Sequence, residues 1–322
     1  MPVSTVHSIL LKKENAHDDP IYSCAWVKSV PRGDSKDASK EYIVTGGLDC
    51  LVKVWTLVNN RLDLVHTLEG HPMAIVSVAV SPDGRTIASS SLDSTLIMWD
   101  LSSGKKIYEI PTDATDVWQV GFSNDGEEVL TGGHTGKISV YSSGDGQLDG
   151  VFDTRGKLVS SVAWSPNGKY VAAGSVDGAV CLFDVNQCKL LHNIDAHRLT
   201  VRCVAFSKNS EFLATASDDG NVKLFYLEAA RHVDTLEHKC WVLCVQFSPD
   251  GSRLATAAAD GSVRVVDLNK FNVLHTFKGH SDVAWGIHFN QSGDKLLSVS
   301  KDKCINIYEC PIPPPPPPQK KK

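Results

Sequence analysis

The chain has 322 residues, of which 42% are hydrophobic and 21% charged, and its formal net charge is −5. A chain of this length and composition can bury a large core, and the lack of a basic surplus argues against nucleic acid as the main partner. No apolar run reaches the roughly 18 residues of a membrane helix. The N-terminal MPVSTVHSIL does not have the pattern of a signal peptide. We therefore expect a protein of the cytoplasm or the nucleus.

A repeat of 41 to 44 residues runs through the chain and is marked by an aspartate in a turn. Six residues after each marker stands a large apolar or aromatic side chain, a spacing typical of β-propeller blades. His134 takes the place of the acid in the third copy. The aspartates of the series are Asp49, Asp93, Asp177, Asp219, Asp260 and Asp302. Seven copies leave almost no chain for anything else, so we predict one domain over residues 3–310.

The second copy shows how one blade is built. Alternating apolar residues predict the strands IVSVAV, TIASSS, LIMWDL and KKIYEI in turn. The first two strands are separated by Ser81-Pro82-Asp83-Gly84, in which Pro and Gly suit a tight turn. The other copies repeat this order, and no segment of the unit has a helical pattern. The fold class is therefore predicted to be all-β, with four antiparallel strands in each blade.

The two ends of the chain predict how the ring closes. After Tyr308 there is no room for a fourth strand, because Pro311 and six consecutive prolines from Pro313 follow and Pro cannot donate to a sheet ladder. The N-terminal VSTVHSILLKK has strand composition and is predicted to close the last blade. Residues 311–322 are predicted to be a disordered polyproline-lysine tail, and residues 27–40 a mobile loop.

These residues resemble the WD-repeat family, whose name-giving dipeptide is present as Trp99-Asp100. The resemblance implies a hydrogen-bonded tetrad in each blade, formed by a leading His, a Ser or Thr, the turn Asp and a Trp. In the first two copies the tetrads would be His17, Thr45, Asp49 and Trp55, and His71, Ser89, Asp93 and Trp99. Copies five to seven keep the His, the hydroxyl and the Asp but replace the Trp. Copies three and four are degenerate and carry Asp113 and Arg155 at the leading position.

Several residue combinations could suggest chemistry, but their recurrence indicates architecture. A Ser or Thr, a His and an Asp occur together in five of the seven copies, whereas a catalytic triad normally occurs once. The nine cysteines include no C-x-x-C pair, and most of them are interpreted as reduced core thiols. The segment Gly132–Lys137 is one residue short of a phosphate-binding loop. We therefore predict no catalytic residues, no metal site and no cofactor.

Strand direction predicts where partners bind. Because the strands of a blade alternate in direction, the loop before the first strand and the turn between the second and third strands lie on one face. The residues three and five positions after the leading position, and the residue before the turn Asp, should surround the central channel. They include aromatic and Arg side chains, which are typical of interface hot spots. The predicted rim consists of Tyr22, Leu48, Leu92, Asp116, Trp118, Arg202, Asp218, Trp241, Leu243, Trp285 and Lys301. Alternatively, some of these rings lie flat between blades and only pack.

Several short sequence segments resemble one particular group within the family. LDCLVKVW, RLDLVHTLEGH and FDTRGKLVSSVAWSPNGKYVAAGSVDG are similar to the WD-repeat subunits shared by the superkiller (Ski) complex and the Paf transcription-elongation complex. That resemblance implies a non-catalytic scaffold that binds a tetratricopeptide protein and an RNA helicase in messenger RNA decay. It also implies binding to Paf subunits during RNA polymerase II elongation and histone modification. An alternative is a substrate receptor of a cullin-type ubiquitin ligase, although Trp99-Asp100 lacks the Arg that often follows in such receptors.

Overall fold

The computed structural model describes residues 6–29, 40–112 and 117–312. Within these residues the chain forms 28 strands and no helix, and the strands make seven four-stranded antiparallel sheets. Each sheet is one blade, and the first strands of neighbouring blades pack side by side around a central channel. The predicted seven-bladed propeller is therefore confirmed. None of the described residues belongs to a helix that could cross a membrane.

The first three blades lie in the N-terminal half. Blade 1 consists of β2 (Ile21–Lys28), β3 (Glu41–Gly47), β4 (Val52–Val58) and β5 (Arg61–Leu68). Blade 2 consists of β6 (Ile75–Val80), β7 (Thr86–Ser91), β8 (Thr95–Asp100) and β9 (Lys105–Pro111). Blade 3 consists of β10 (Val117–Phe122), β11 (Glu128–Gly133), β12 (Lys137–Ser142) and β13 (Leu148–Asp153). The blade 2 bounds agree with the predicted strands to within one residue.

The remaining blades follow in the same order. Blade 4 consists of β14 (Val159–Trp164), β15 (Tyr170–Ser175), β16 (Ala179–Asp184) and β17 (Lys189–Asp195). Blade 5 consists of β18 (Val201–Phe206), β19 (Phe212–Ser217), β20 (Asn221–Tyr226) and β21 (Arg231–Glu237). Blade 6 consists of β22 (Val242–Phe247), β23 (Arg253–Ala258), β24 (Val263–Asp267) and β25 (Asn272–Phe277). Blade 7 consists of β26 (Ala284–Phe289), β27 (Lys295–Ser300), β28 (Ile305–Glu309) and β1 (Ser8–Lys13).

The N-terminal strand closes the last blade, as predicted. β1 pairs antiparallel with β28, in a register that places Ser8 opposite Glu309 and Lys13 opposite Ile305. The Ser8 hydroxyl also donates to the Glu309 carboxylate at 3.2 Å. The closing strand covers the edge of β28, which would otherwise expose unpaired backbone groups.

The core lies between neighbouring blades. Val44 and Val54 of blade 1 form one cluster with Ile75 and Trp99 of blade 2, and all four are buried. The blades approach closely where the second strand carries a glycine. A Cβ added at Gly46 would lie 2.5 Å from Ile75 Cγ2, so only a residue without a side chain allows this contact.

The predicted 27–40 loop and the predicted 311–322 tail both begin later in the structure than the sequence predicts. β2 continues to Lys28, which pairs with Glu41, so the first residues of the predicted 27–40 loop belong to the hairpin. Arg253 donates to the carbonyls of Cys310 and Pro311, so the ordered contacts extend one residue into the predicted tail. Residues 30–39 and 313–322 and the rim residue Asp116 lie outside the described residues.

Candidate functional site

The loop before each first strand and the turn between the second and third strands lie on the same face, which we call the upper face. In blade 2 the Leu92 N–H donates to the carbonyl of Ala74 at 3.0 Å. In blade 5 the Asp218 N–H donates to the carbonyl of Thr200, also at 3.0 Å. The residue before the turn Asp is thus hydrogen-bonded to the loop that precedes the first strand.

A buried polar chain supports this face in blade 1. His17 Nδ1 lies 2.9 Å from the Asp49 carboxylate, and His17 Nε2 lies 2.8 Å from Thr45 Oγ1. The Trp55 indole N–H donates to the same hydroxyl at 2.9 Å. Burial alone would raise the pKa of Asp49, but the hydrogen bonds from His17 and from backbone N–H groups outweigh it and lower that pKa. Each member satisfies another, which makes the burial tolerable.

Blade 2 has the same arrangement around Ser89. His71 Nδ1 lies 3.0 Å from Asp93, His71 Nε2 lies 2.8 Å from Ser89 Oγ, and the Trp99 indole donates to that hydroxyl at 2.8 Å. Burial lowers the pKa of His71 more than Asp93 raises it. The neutral imidazole is thereby favoured, with one ring nitrogen donating and the other accepting.

Blade 7 builds a tetrad without tryptophan. His280 lies 3.0 Å from Asp302 and 2.6 Å from Ser298 Oγ. The Tyr308 hydroxyl lies 2.9 Å from Ser298 Oγ and occupies the position of the missing indole. Blade 5 keeps the His197 contacts to Thr215 and Asp219, but Phe225 there has no polar group.

In blade 6 the chain of hydrogen bonds is broken. His238 Nε2 lies 3.2 Å from Thr256 Oγ1, but Nδ1 has no partner among the described residues. The turn acid Asp260 instead accepts hydrogen bonds from the backbone N–H and the hydroxyl of Ser262. Burial and the charge of Arg264 lower the pKa of His238 to about 4. Blade 6 therefore keeps the His, the hydroxyl and the Asp but not a hydrogen bond between the His and the Asp.

The residues five positions after the leading His position form one ring around the channel. The channel has a volume of about 820 Å³ and its walls include Tyr22, Val76, Trp118, Ser160, Arg202, Leu243 and Trp285. Trp118 is 39% exposed, and Trp241 on the adjoining loop is 54% exposed. Leu243 is only 5% exposed and therefore offers little surface to a partner. Leu92 is half-buried, whereas Leu48 is exposed.

Two pairs of aromatic rings stabilise this rim. Tyr22 of blade 1 meets Trp285 of blade 7 edge to face, with ring centroids 5.1 Å apart and planes at 84°. Trp118 meets His134 at 6.2 Å and 88°. Both rings of the first pair are half-buried, so Tyr22 and Trp285 pack across the last seam of the disc as well as facing the channel. Edge-to-face contacts of this kind favour a fixed ring orientation.

The charged rim residues that the structure describes are paired. The Arg202 guanidinium donates to both Asp218 carboxylate oxygens, at 2.9 Å through Nε and 2.7 Å through Nη2. Lys301 Nζ lies 3.4 Å from the Asp282 carboxylate at a more exposed place. The described part of the rim therefore combines exposed apolar surface with charges that largely compensate one another.

Comparison with known proteins agrees with this geometry. The profile of the WD domain, G-beta repeat, matches residues 8–56, 62–100 and 104–142. The profile of the anaphase-promoting complex subunit 4 WD40 domain matches residues 149–209 and 204–292. The chain is a WD-repeat β-propeller.

Curated relatives are similar to this WD-repeat propeller over part of their length. WD repeat-containing protein SL1-17 of Schistosoma mansoni is 34% identical over 147 residues, which are 46% of this chain and 47% of that protein. WD repeat-containing protein VIP3 of Arabidopsis thaliana is 33% identical over 136 residues, or 42% and 40% of the two chains. Small ribosomal subunit protein RACK1y of Oryza sativa subsp. japonica is 46% identical over 72 residues, or 22% and 21%. The match thus spans about half or less of each relative's length.

A second polar system joins the blades of this propeller and was not predicted. In blades 1 to 3, the residue six positions after the leading position accepts a backbone N–H of the next blade. Ser23 Oγ accepts from Val78 at 3.0 Å, and Gln119 Oε1 accepts from Val162 at 2.9 Å. We call this position the girdle, and its seven residues are Ser23, Ser77, Gln119, Ser161, Cys203, Cys244 and Gly286. A polar residue recurring within apolar first strands is the signal that could have revealed it.

Proposed function

We propose that this propeller is a non-catalytic scaffold that binds segments of partner proteins on the upper-face rim. WD-repeat propellers generally act as protein-interaction scaffolds. The observation that carries the proposal is the exposure of two indoles, Trp118 at 39% and Trp241 at 54%, beside the mouth of the channel. Large aromatic side chains bury much area at low entropic cost when a partner covers them.

The rim favours a particular kind of ligand. Because Arg202 is neutralised by Asp218, a strongly charged segment gains little from long-range attraction. Exposed Leu48 and Val176 extend the apolar surface beyond the indoles. A peptide segment with aromatic or aliphatic anchors, inserted at the mouth of the channel, fits this surface.

We further propose that the partners are subunits of the superkiller and Paf complexes, in the cytoplasm and the nucleus. The support is the similarity of strings such as LDCLVKVW and FDTRGKLVSSVAWSPNGKYVAAGSVDG to the WD-repeat subunits of those assemblies. In the first complex the partners would be a tetratricopeptide protein and an RNA helicase, and in the second they would be the other Paf subunits.

Capture from cell extract tests this proposal. The tagged full-length chain is compared with the rim variant Trp118→Ala/Trp241→Ala and with Ile107→Ala, which removes a 51% exposed side chain from outer strand β9. We expect wild type and the β9 control to recover a tetratricopeptide protein with an RNA helicase, and the rim variant to lose them. Equal recovery by all three would contradict the rim assignment. Recovery of a cullin adaptor instead would contradict the superkiller and Paf assignment.

A further inference from the structure

Two thiols from neighbouring blades meet in the wall of the channel. Cys203 on β18 and Cys244 on β22 occupy consecutive girdle positions, and their Sγ atoms are 3.9 Å apart. Both residues line the channel, and all nine cysteines of the chain are free.

The fold itself brings these sulfurs together. A girdle side chain points towards the first strand of the next blade, as Ser23 does when it accepts from Val78. Cys203 follows the same direction, and its Sγ lies 3.5 Å from the carbonyl oxygen of Val245 in blade 6. Because blade 6 also carries a cysteine at the girdle position, the sulfur that points out of blade 5 meets a second sulfur.

The surroundings shift the pKa values of the two thiols in opposite directions. The hydrogen-bonding contact with the Cys203 thiol and the backbone N–H groups of Ile287 and Val245 lower the pKa of Cys244. The same contact, together with burial, raises the pKa of Cys203. Cys244 is thus the better nucleophile, since the thiolate is the reactive form. The channel of about 820 Å³ admits a small oxidant but excludes a folded protein.

We propose that Cys203 and Cys244 are a site of reversible oxidation, at which a hydroperoxide converts the two thiols into a disulfide between blades 5 and 6. The Cys244 thiolate attacks the peroxide oxygen, the O–O bond breaks, and the leaving oxygen takes up a proton as water or alcohol. Cys203 then attacks the sulfenic sulfur, and the hydroxyl group leaves as water. Two thiols are oxidised and one hydroperoxide is reduced. The sulfurs need to approach by roughly 2 Å to bond.

Peptide mapping of the full-length protein tests the site. The protein is treated with hydrogen peroxide, its remaining thiols are alkylated, and it is digested with trypsin without reduction. Cleavage after Arg202 and Lys239 would leave the bond between peptides 203–208 and 240–253. We expect this linked pair, lighter by two hydrogen atoms than its separate parts, and its disappearance after treatment with a thiol reductant.

Cys240 lies on the second peptide and provides the matched control. Cys240→Ser should keep the linked pair, whereas Cys244→Ser should lose it. If Cys244→Ser does not fold, cleavage of the wild-type protein after Trp241 separates the two candidate cysteines instead. A bond through Cys240, or oxidation of the exposed Cys188 without any link between 203–208 and 240–253, would overturn the proposal.

Discussion

Acid should destabilise this propeller through His238, the leading histidine whose Nδ1 has no partner among the described residues. Its pKa is about 4 in the folded protein, against an ordinary value of 6.5. A group whose pKa is lowered by folding contributes stability that is fully present above pH 6.5. This stability is lost as the pH falls towards 4, because the unfolded chain takes up the proton first.

The magnitude follows from the two pKa values. At pH 5 the unfolded imidazole is almost fully protonated and the folded one only slightly. Linkage then gives a loss of about 2 kcal/mol in the free energy of unfolding, relative to pH 8. Other buried histidines, such as His71, add to the decline in wild type. The contribution of His238 is therefore measured as a difference between two proteins.

The assay is urea unfolding, followed by tryptophan fluorescence, of wild type and His238→Gln at pH 8 and pH 5. The glutamine amide can still bond to Thr256 but does not titrate. Each protein's stability at pH 8 serves as its own baseline. We expect wild type to lose about 2 kcal/mol more than the variant between these pH values. Equal losses in both proteins would refute the reasoning.

Two further predictions concern blade 7. Deletion of residues 1–12 removes most of β1 and exposes the edge of β28. The melting temperature should therefore fall by at least about 2 °C. An unchanged melting temperature in calorimetry would contradict the closure of blade 7 by β1. Tyr308→Phe removes a buried hydroxyl that contacts Ser298 and Asn306 and should cost about 1–3 kcal/mol in urea unfolding. Wild-type stability in that variant would show that Tyr308 does not take the place of the indole.

Local sequence was sufficient to predict the blades. The turn residues and the alternation of apolar side chains are short-range signals, and they fixed the four strands of blade 2 to within one residue. The closing role of β1 also followed from the sequence, because the prolines after Cys310 exclude a fourth strand there.

Contacts between distant segments could not be predicted in the same way. Asp260 bonds to Ser262 but not to His238, whereas Asp93 at the same repeat position bonds both to His71 and to Thr95. The repeat spacing is the same in both blades and does not distinguish them. Leu243 stands at a rim position, yet it is buried, whereas Trp241 two residues earlier is exposed. Exposure is set by the sizes of the side chains that surround a position, and these differ from blade to blade.

Rim binding can be tested directly by measuring the affinity of Trp118→Ala/Trp241→Ala for the captured tetratricopeptide partner. Trp285 is left intact, because its replacement would also remove the ring contact with Tyr22. A loss of affinity could then come from lost packing between blades. Ile107→Ala/Leu148→Ala removes apolar side chains of 51% and 55% exposure from outer strands and serves as the control. We expect the rim variant to lose several kcal/mol of binding free energy, on the order of hot-spot values, and the control to bind like wild type. Unchanged affinity in a folded rim variant would contradict the scaffold mechanism.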